Sequence, residues 1–154
     1  MPPVIDLLMA HKYRDFILRI RDVSVAAMFD MNFEQIQGKI KEIMEEATTT
    51  AAGIKAAILL SKEGLPIASA LPASLEEAEI AAMAASILGV ADLAAERMEQ
   101  GILEEVLMTN EKGLVIMRSA GEKAILVLAA SKNVKTGLLV YAARTASEKI
   151  APLL

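Results

Sequence analysis

Ala124-Ile125-Leu126-Val127-Leu128-Ala129-Ala130 carries seven apolar residues in a row with no polar alternation. A strand with one face in water alternates, so this run predicts a central strand covered by apolar side chains on both faces. Two more strand-like runs precede it, residues 102–109 and 113–119. Their joining turns are Asn110-Glu111-Lys112-Gly113 and Ala120-Gly121-Glu122. Further upstream, residues 54–61 and 65–71 flank Lys62-Glu63-Gly64 and read as a hairpin. Pro66 has no N–H to offer a neighbour, which places the second strand of that hairpin at a sheet edge.

The cover for this sheet comes from three helical patterns. Phe33, Ile36, Ile40, Ile43, Met44, Ala47 and Ala51 form one stripe, with Asn32 as its cap, Gln35 three residues on, and Gly53 closing it. Residues 75–99 follow an S-x-x-E capping box, Ser74 to Glu77, and stop before Gly101. A last helix covers residues 134–150, capped by Asn133 and ended by Pro152. The order α-β-β-α-β-β-β-α, with two hairpin units, predicts an α+β three-layer sandwich with a five-stranded antiparallel sheet between helices.

Chain-wide composition narrows the chemistry. The 154 residues carry a net charge of −4, no cysteine and one histidine, His11. Mild acidity speaks against nucleic acid, and the missing cysteines exclude disulfides and thiolate sites and suit a reducing cytoplasm. Neither a metal site nor a cofactor site is expected. No uncharged apolar run reaches the 18 or more residues of a membrane span. Neither a phosphate-cradling loop nor a dinucleotide fingerprint is present.

The carboxylate pairs Glu45-Glu46, Glu76-Glu77 and Glu104-Glu105 point in diverging directions on helices and strands, so they do not converge on a reaction. Glu76, Glu77 and Glu79 suit the positive end of a helix instead. His11 reads as a surface residue. Arg97 and Arg118 are candidates for an arginine finger in phosphoryl transfer, and the pattern favours structural roles for both. These readings together predict a protein that is not an enzyme.

Aromatic residues divide the chain. Tyr13, Phe16, Phe29 and Phe33 fall in the first 33 residues, and only Tyr141 lies beyond. Residues 1–31 therefore read as an amphipathic helical extension on a domain covering 32–154. In the extension Ile5, Leu8, Met9, Tyr13, Phe16, Ile17 and Ile20 share one helical face. Tyr13, Phe16 and Ile17 are its candidate anchors for a partner, and Met28 and Met31 an adaptable contact surface.

Alanine, by contrast, crowds residues 75–99. Residues 80–91 carry no charge, although one side of a helix on a sheet normally faces water. Projected at 100° per residue, the bulky Ile80, Met83, Ile87, Ala91, Ala94 and Met98 share a side that is expected to pack on the sheet. Ala78, Ala81, Ala82, Ala85 and Gly89 lie opposite, at spacings that let another helix approach closely. A tolerated surface alanine helix is the bland explanation; a twofold homodimer contact is the sharper one.

The hairpin Leu60-Ser61-Lys62-Glu63-Gly64-Leu65-Pro66-Ile67-Ala68-Ser69, the alanine-rich helix, Gly101 leading to Glu104-Glu105-Val106, and Gly137-Leu138 in the last helix add up to more than each does alone. Over residues 37–152 the chain resembles the Roadblock/dynein light chain family. That resemblance implies two copies joined through helix 75–99 and strand 102–109, with Val106 in the contact, as one ten-stranded sheet. It also implies a non-catalytic role: family members scaffold or regulate Ras-like small GTPases or bridge motor and lysosomal complexes. Prokaryotic members raise the hydrolysis rate of a polarity GTPase as dimers. The extension is not part of the family core. An alternative is a structural adaptor that docks through the extension and has no GTPase partner. A small-molecule sensor is disfavoured for want of polar groups to line a pocket.

Overall fold

The computed structural model describes the backbone from Val23 to Leu154, and side chains from Asn32 onward. Residues 1–22 of the extension, with Tyr13, Phe16, Ile17 and His11, lie outside the described residues, as do the side chains of Met28 and Met31. The described elements are α1 (Val23–Thr50), β1 (Ile54–Ser61), β2 (Pro66–Ala70), α2 (Glu77–Arg97), β3 (Glu105–Thr109), β4 (Gly113–Ala120), β5 (Ala124–Ser131) and α3 (Thr136–Ile150). A short 3-10 turn, Ala151–Leu153, follows α3. The sequence order of strands and helices is therefore the one read from the chain.

All strand pairs are antiparallel, and the sheet order is β2-β1-β5-β4-β3. The unalternating run becomes β5 at the centre, and the proline-bearing strand becomes an edge. Alternate β5 residues serve two cores. Leu126, Leu128 and Ala130 meet Ile40, Met44, Leu139 and Ala143 beneath α1 and α3. Ile125 and Val127 meet Ile58, Leu60 and Met117 beneath α2. The period of two along β5, not its hydrophobicity alone, separates these layers.

Three helix starts differ from expectation. Asn32 lies inside α1, because nothing in Val23–Met31 breaks a helix: the stretch holds neither glycine nor proline. The Ser74–Glu77 box does not form; Glu76 is the N-cap of α2, without a side-chain cap bond. A turn closed by Leu75 N–H on the Pro72 carbonyl (3.0 Å) takes up Ser74 instead. Asn133 likewise sits in a turn, where Val134 N–H meets the Ser131 carbonyl at 3.1 Å, and α3 starts after Lys135. At α2 and α3 backbone turn bonds shift the start away from the residue whose type suggests a cap. Strand β3 is also shorter than the run that signals it: residues 101–104 form a loop, leaving Ile102 93% exposed.

Candidate functional site

Among the described residues a single helix, α2, covers its side of the five-stranded sheet, and this is where the candidate site lies. Ala81, Ala84 and Leu88 are buried against Ile58, Leu60, Met117, Ile125 and Val127, with Ile80 and Ile87 partly buried beside them. The face toward the sheet is thus about a quarter turn from the one expected at 100° per residue. Met83 and Met98, assigned to the sheet from sequence, are 47% and 70% exposed. Ala81, assigned to a partner, is fully buried in its own chain.

The turn between β1 and β2 explains the rotation. At Gly64, whose φ is +90°, a Cβ would lie 3.4 Å from Ala85 Cβ, 3.5 Å from Ala82 Cα and 3.6 Å from the Ala81 carbonyl oxygen. The small residues of α2 let the helix settle onto this turn. Their close approach serves the chain's own fold, and Ala85 is partly buried by it. Ala78, Ala82 and Gly89 remain exposed, as expected of an outward face.

That outward face is more apolar than alanine and glycine alone would make it. Met83, Val90 (68% exposed) and Leu93 (51%) join it. Met83 was assigned to the wrong side, and Val90 and Leu93 went unnoticed in the sequence, because residues 80–91 are uncharged all round and no polar face marks the boundary. By length and composition α2 is also apolar enough to cross a membrane, which a count of consecutive uncharged residues misses because Asp92 interrupts the run.

Beside α2, among the described residues, β3 pairs only with β4 and ends the sheet. Val106 and Met108 face the α2 layer, and Leu107 faces the opposite way, 38% exposed. Glu105 opposes Arg118 in the β3–β4 register, and Arg118 Nη1 donates to Glu105 Oε1 at 2.8 Å with both side chains about four-fifths covered. Arg118 is therefore tied down within its own sheet and is not a free finger. Arg97 occupies the last turn of α2, where its charge complements the helix dipole.

The other carboxylates behave as surface groups. Lys149 Nζ meets Glu46 Oε2 at 2.7 Å, joining α3 to α1. Among the described residues, no three histidine or carboxylate side chains gather as a metal site.

Two hollows flank α2. One, about 300 Å³, has only apolar lining, including Met83, Ile87, Met108, Val115 and Ala129. The other, about 690 Å³, lies toward the C-terminal half of α2 and is of mixed character, with Leu88, Asp92, Glu96, Leu103, Glu122 and Lys62 among its walls. Neither converges polar groups onto a point where a bond could be made or broken. What this side of the molecule offers is surface for contact.

Comparison with known proteins agrees with the architecture. Residues 40–130 match the Roadblock/LC7 domain. The uncharacterized protein MJ1340 of Methanocaldococcus jannaschii is 38% identical over 98 residues, 64% of this chain and 85% of that protein. Myxococcus xanthus MglB superposes with a TM-score of 0.69 at 20% identity, covering 75% of this chain and 94% of the other. A Roadblock/LC7 domain from Streptomyces avermitilis gives 0.66 at 20% identity, covering 71% and 92%. At such identity these two structures establish a shared fold. With the family match over more than half its length, the chain belongs to the Roadblock/LC7 domain family.

Proposed function

We propose that the protein is a non-catalytic homodimer of the cytoplasm that scaffolds or regulates a Ras-like small GTPase. The observation that carries this reading is the row Met83, Val90 and Leu93 on the outer face of α2, beside the edge of β3 that no described strand pairs with. An apolar helix face next to a free strand edge is costly in water on two counts, exposed apolar area and open backbone groups. A second copy related by a twofold axis covers both at once: helix lies on helix, and β3 pairs antiparallel with its counterpart. Ala78, Ala82 and Gly89 give that contact close approach, and Val106 lies beneath it.

A membrane is the poorer cover for the same face, because the sheet beneath α2 would have to leave water with it. The paired helices form a broad platform for a GTPase, and stimulation of hydrolysis proceeds by ordering the GTPase's own switch loops, since Arg118 is already committed to Glu105.

Light scattering at micromolar concentration tests the first step, and a strict monomer rejects it. Small GTPases recovered from the source cell with the dimer test the second. Hydrolysis and nucleotide exchange are then measured with and without the protein. A change in either rate makes it a regulator, unchanged rates with stable binding make it a scaffold, and no GTPase recovered rejects the reading.

A further inference from the structure

The two edges of the sheet are built differently. Both edge strands have five residues, so length does not separate them. Strand β3 is regular: Glu105 to Thr109 oppose Arg118 to Leu114 one for one, with neither proline nor glycine among the five. No described strand pairs with its outer side. Such an edge presents N–H and C=O groups on alternate residues, the arrangement that a further antiparallel strand needs.

Strand β2 departs from this pattern at three points. Pro66, its first residue, has no N–H to give. Leu59 opposes Ala68 and Leu60 opposes Pro66, which leaves Ile67 as an extra residue without a counterpart on β1, a β-bulge. The Ile67 carbonyl accepts from Gln37 Nε2 of α1 at 2.6 Å, across 30 residues of sequence. Ile67 is buried in the same core as Ile36 and Ile40, which belong to the turn of α1 that bears Gln37, so packing carries the amide to this carbonyl. On the other layer, the Gly64 turn that leads into β2 lies against Ala81, Ala82 and Ala85 of α2. An incoming strand would meet a missing donor, a spacing shifted by the bulge, and an acceptor already in use. Prolines, bulges and covering helices are the means by which edge strands are kept from pairing with other chains.

We infer that the β2 edge is closed against pairing with another chain, that Gln37 is the residue that holds it closed, and that the sheet extends at β3 alone. The closure stands on β2 and α1 by themselves. Joined to the twofold contact proposed at β3, on which this further step rests, it ends assembly at two copies. A chain with two open edges would instead add copies without closing.

The test opens the edge in the full chain. Pro66→Thr restores the donor and Gln37→Leu frees the carbonyl. Because the protein has no cysteine of its own, a single introduced thiol reports each edge through a flexible thiol-reactive cross-linker. Ala70→Cys, at the exposed end of β2, reports contact between β2 edges, and Thr109→Cys, at the exposed end of β3, reports the other. The regained hydrogen bonds are expected to raise cross-linking at Ala70→Cys about tenfold over the chain with both guards in place. Light scattering then shows species larger than those of the guarded chain, growing with concentration. A double variant with wild-type far-UV dichroism and no more cross-linking at Ala70→Cys than the guarded chain overturns the inference. Strong cross-linking at Ala70→Cys in the guarded chain overturns it as well. Where the double variant does not fold, Pro66→Thr and Gln37→Leu are measured singly against the same outcomes. Thr109→Cys reads the dimer separately: no cross-linking there and a monomer mass reject the twofold contact, while the Ala70→Cys comparison still decides the closure of β2.

Discussion

Gly53 shows how a single position can hold two elements together. Its φ of +108° ends α1, and a Cβ there would lie 2.6 Å from Val134 Cγ2 and 2.9 Å from Ser131 Oγ. Both the backbone conformation and the space exclude a side chain. Gly53→Ala is therefore expected to destabilise the fold by about 2 kcal/mol or more, read as a lower urea midpoint with an unchanged m-value. Thr48, Thr49 and Thr50 precede it, and their hydroxyls donate back to the Glu45 and Glu46 carbonyls at 2.6, 3.4 and 3.1 Å. These bonds satisfy carbonyls near the helix end and offset a low helix propensity.

At Ala85 the chemistry is steric again. An arginine there would press on the Gly64 turn before it met any partner, so Ala85→Arg is expected to cost folding stability. A melting temperature equal to wild type would show that α2 does not sit on that turn as described.

Among the elements, α2 and β3 carry the contact chemistry. Replacing Val90 and Leu93 together with glutamate places two charges on the outer face and leaves Ala81, Ala84 and Leu88 against the sheet. The expected result is a folded monomer, with wild-type far-UV dichroism and half the solution mass. A dimer that survives would move the interface elsewhere. On β3, the Glu105–Arg118 pair ties the edge strand to β4 in a largely covered setting. Glu105→Gln keeps the shape and removes the charge, which leaves the guanidinium with a weaker partner at a cost of about 1–3 kcal/mol. Hydrogen exchange in residues 105–109 is the sensitive readout, and unchanged protection would make the pair dispensable.

Element identity was legible because strands and helices differ in period: β5 lacks alternation where α1 repeats its stripe. Helix starts were less so, since Ser74 and Asn133 have cap-forming side chains but stand in turns whose backbone bonds already satisfy the chain. The face of α2 was not legible either, because with alanine all round the sequence has no polar side to orient it. The Gly64 turn, distant by some twenty residues, decides the matter.

At the scale of the whole molecule, the sandwich is unevenly covered. Helices α1 and α3 together bury one side of the sheet, and the core there runs from Phe33 to Ile150. On the other side, among the described residues, α2 is the one helix over five strands, with a hollow on each side of it. This asymmetry bears on how a chain with 27 alanines and five aromatics meets its need for a core: small side chains bring the layers close.

That division has a thermodynamic consequence. If a second copy supplies the missing cover, folding is linked to association, and the folded state gains RT ln(1 + [L]/Kd) from its partner, about 2.7 kcal/mol when concentration exceeds the dissociation constant a hundredfold. The melting temperature of the wild-type chain should then rise with protein concentration. In the Val90→Glu, Leu93→Glu variant it should stay flat, at or below the wild-type value for the most dilute sample. Calorimetry across a hundredfold concentration range decides this, and a flat wild-type profile would mean that α2 and its five strands are stable without a partner.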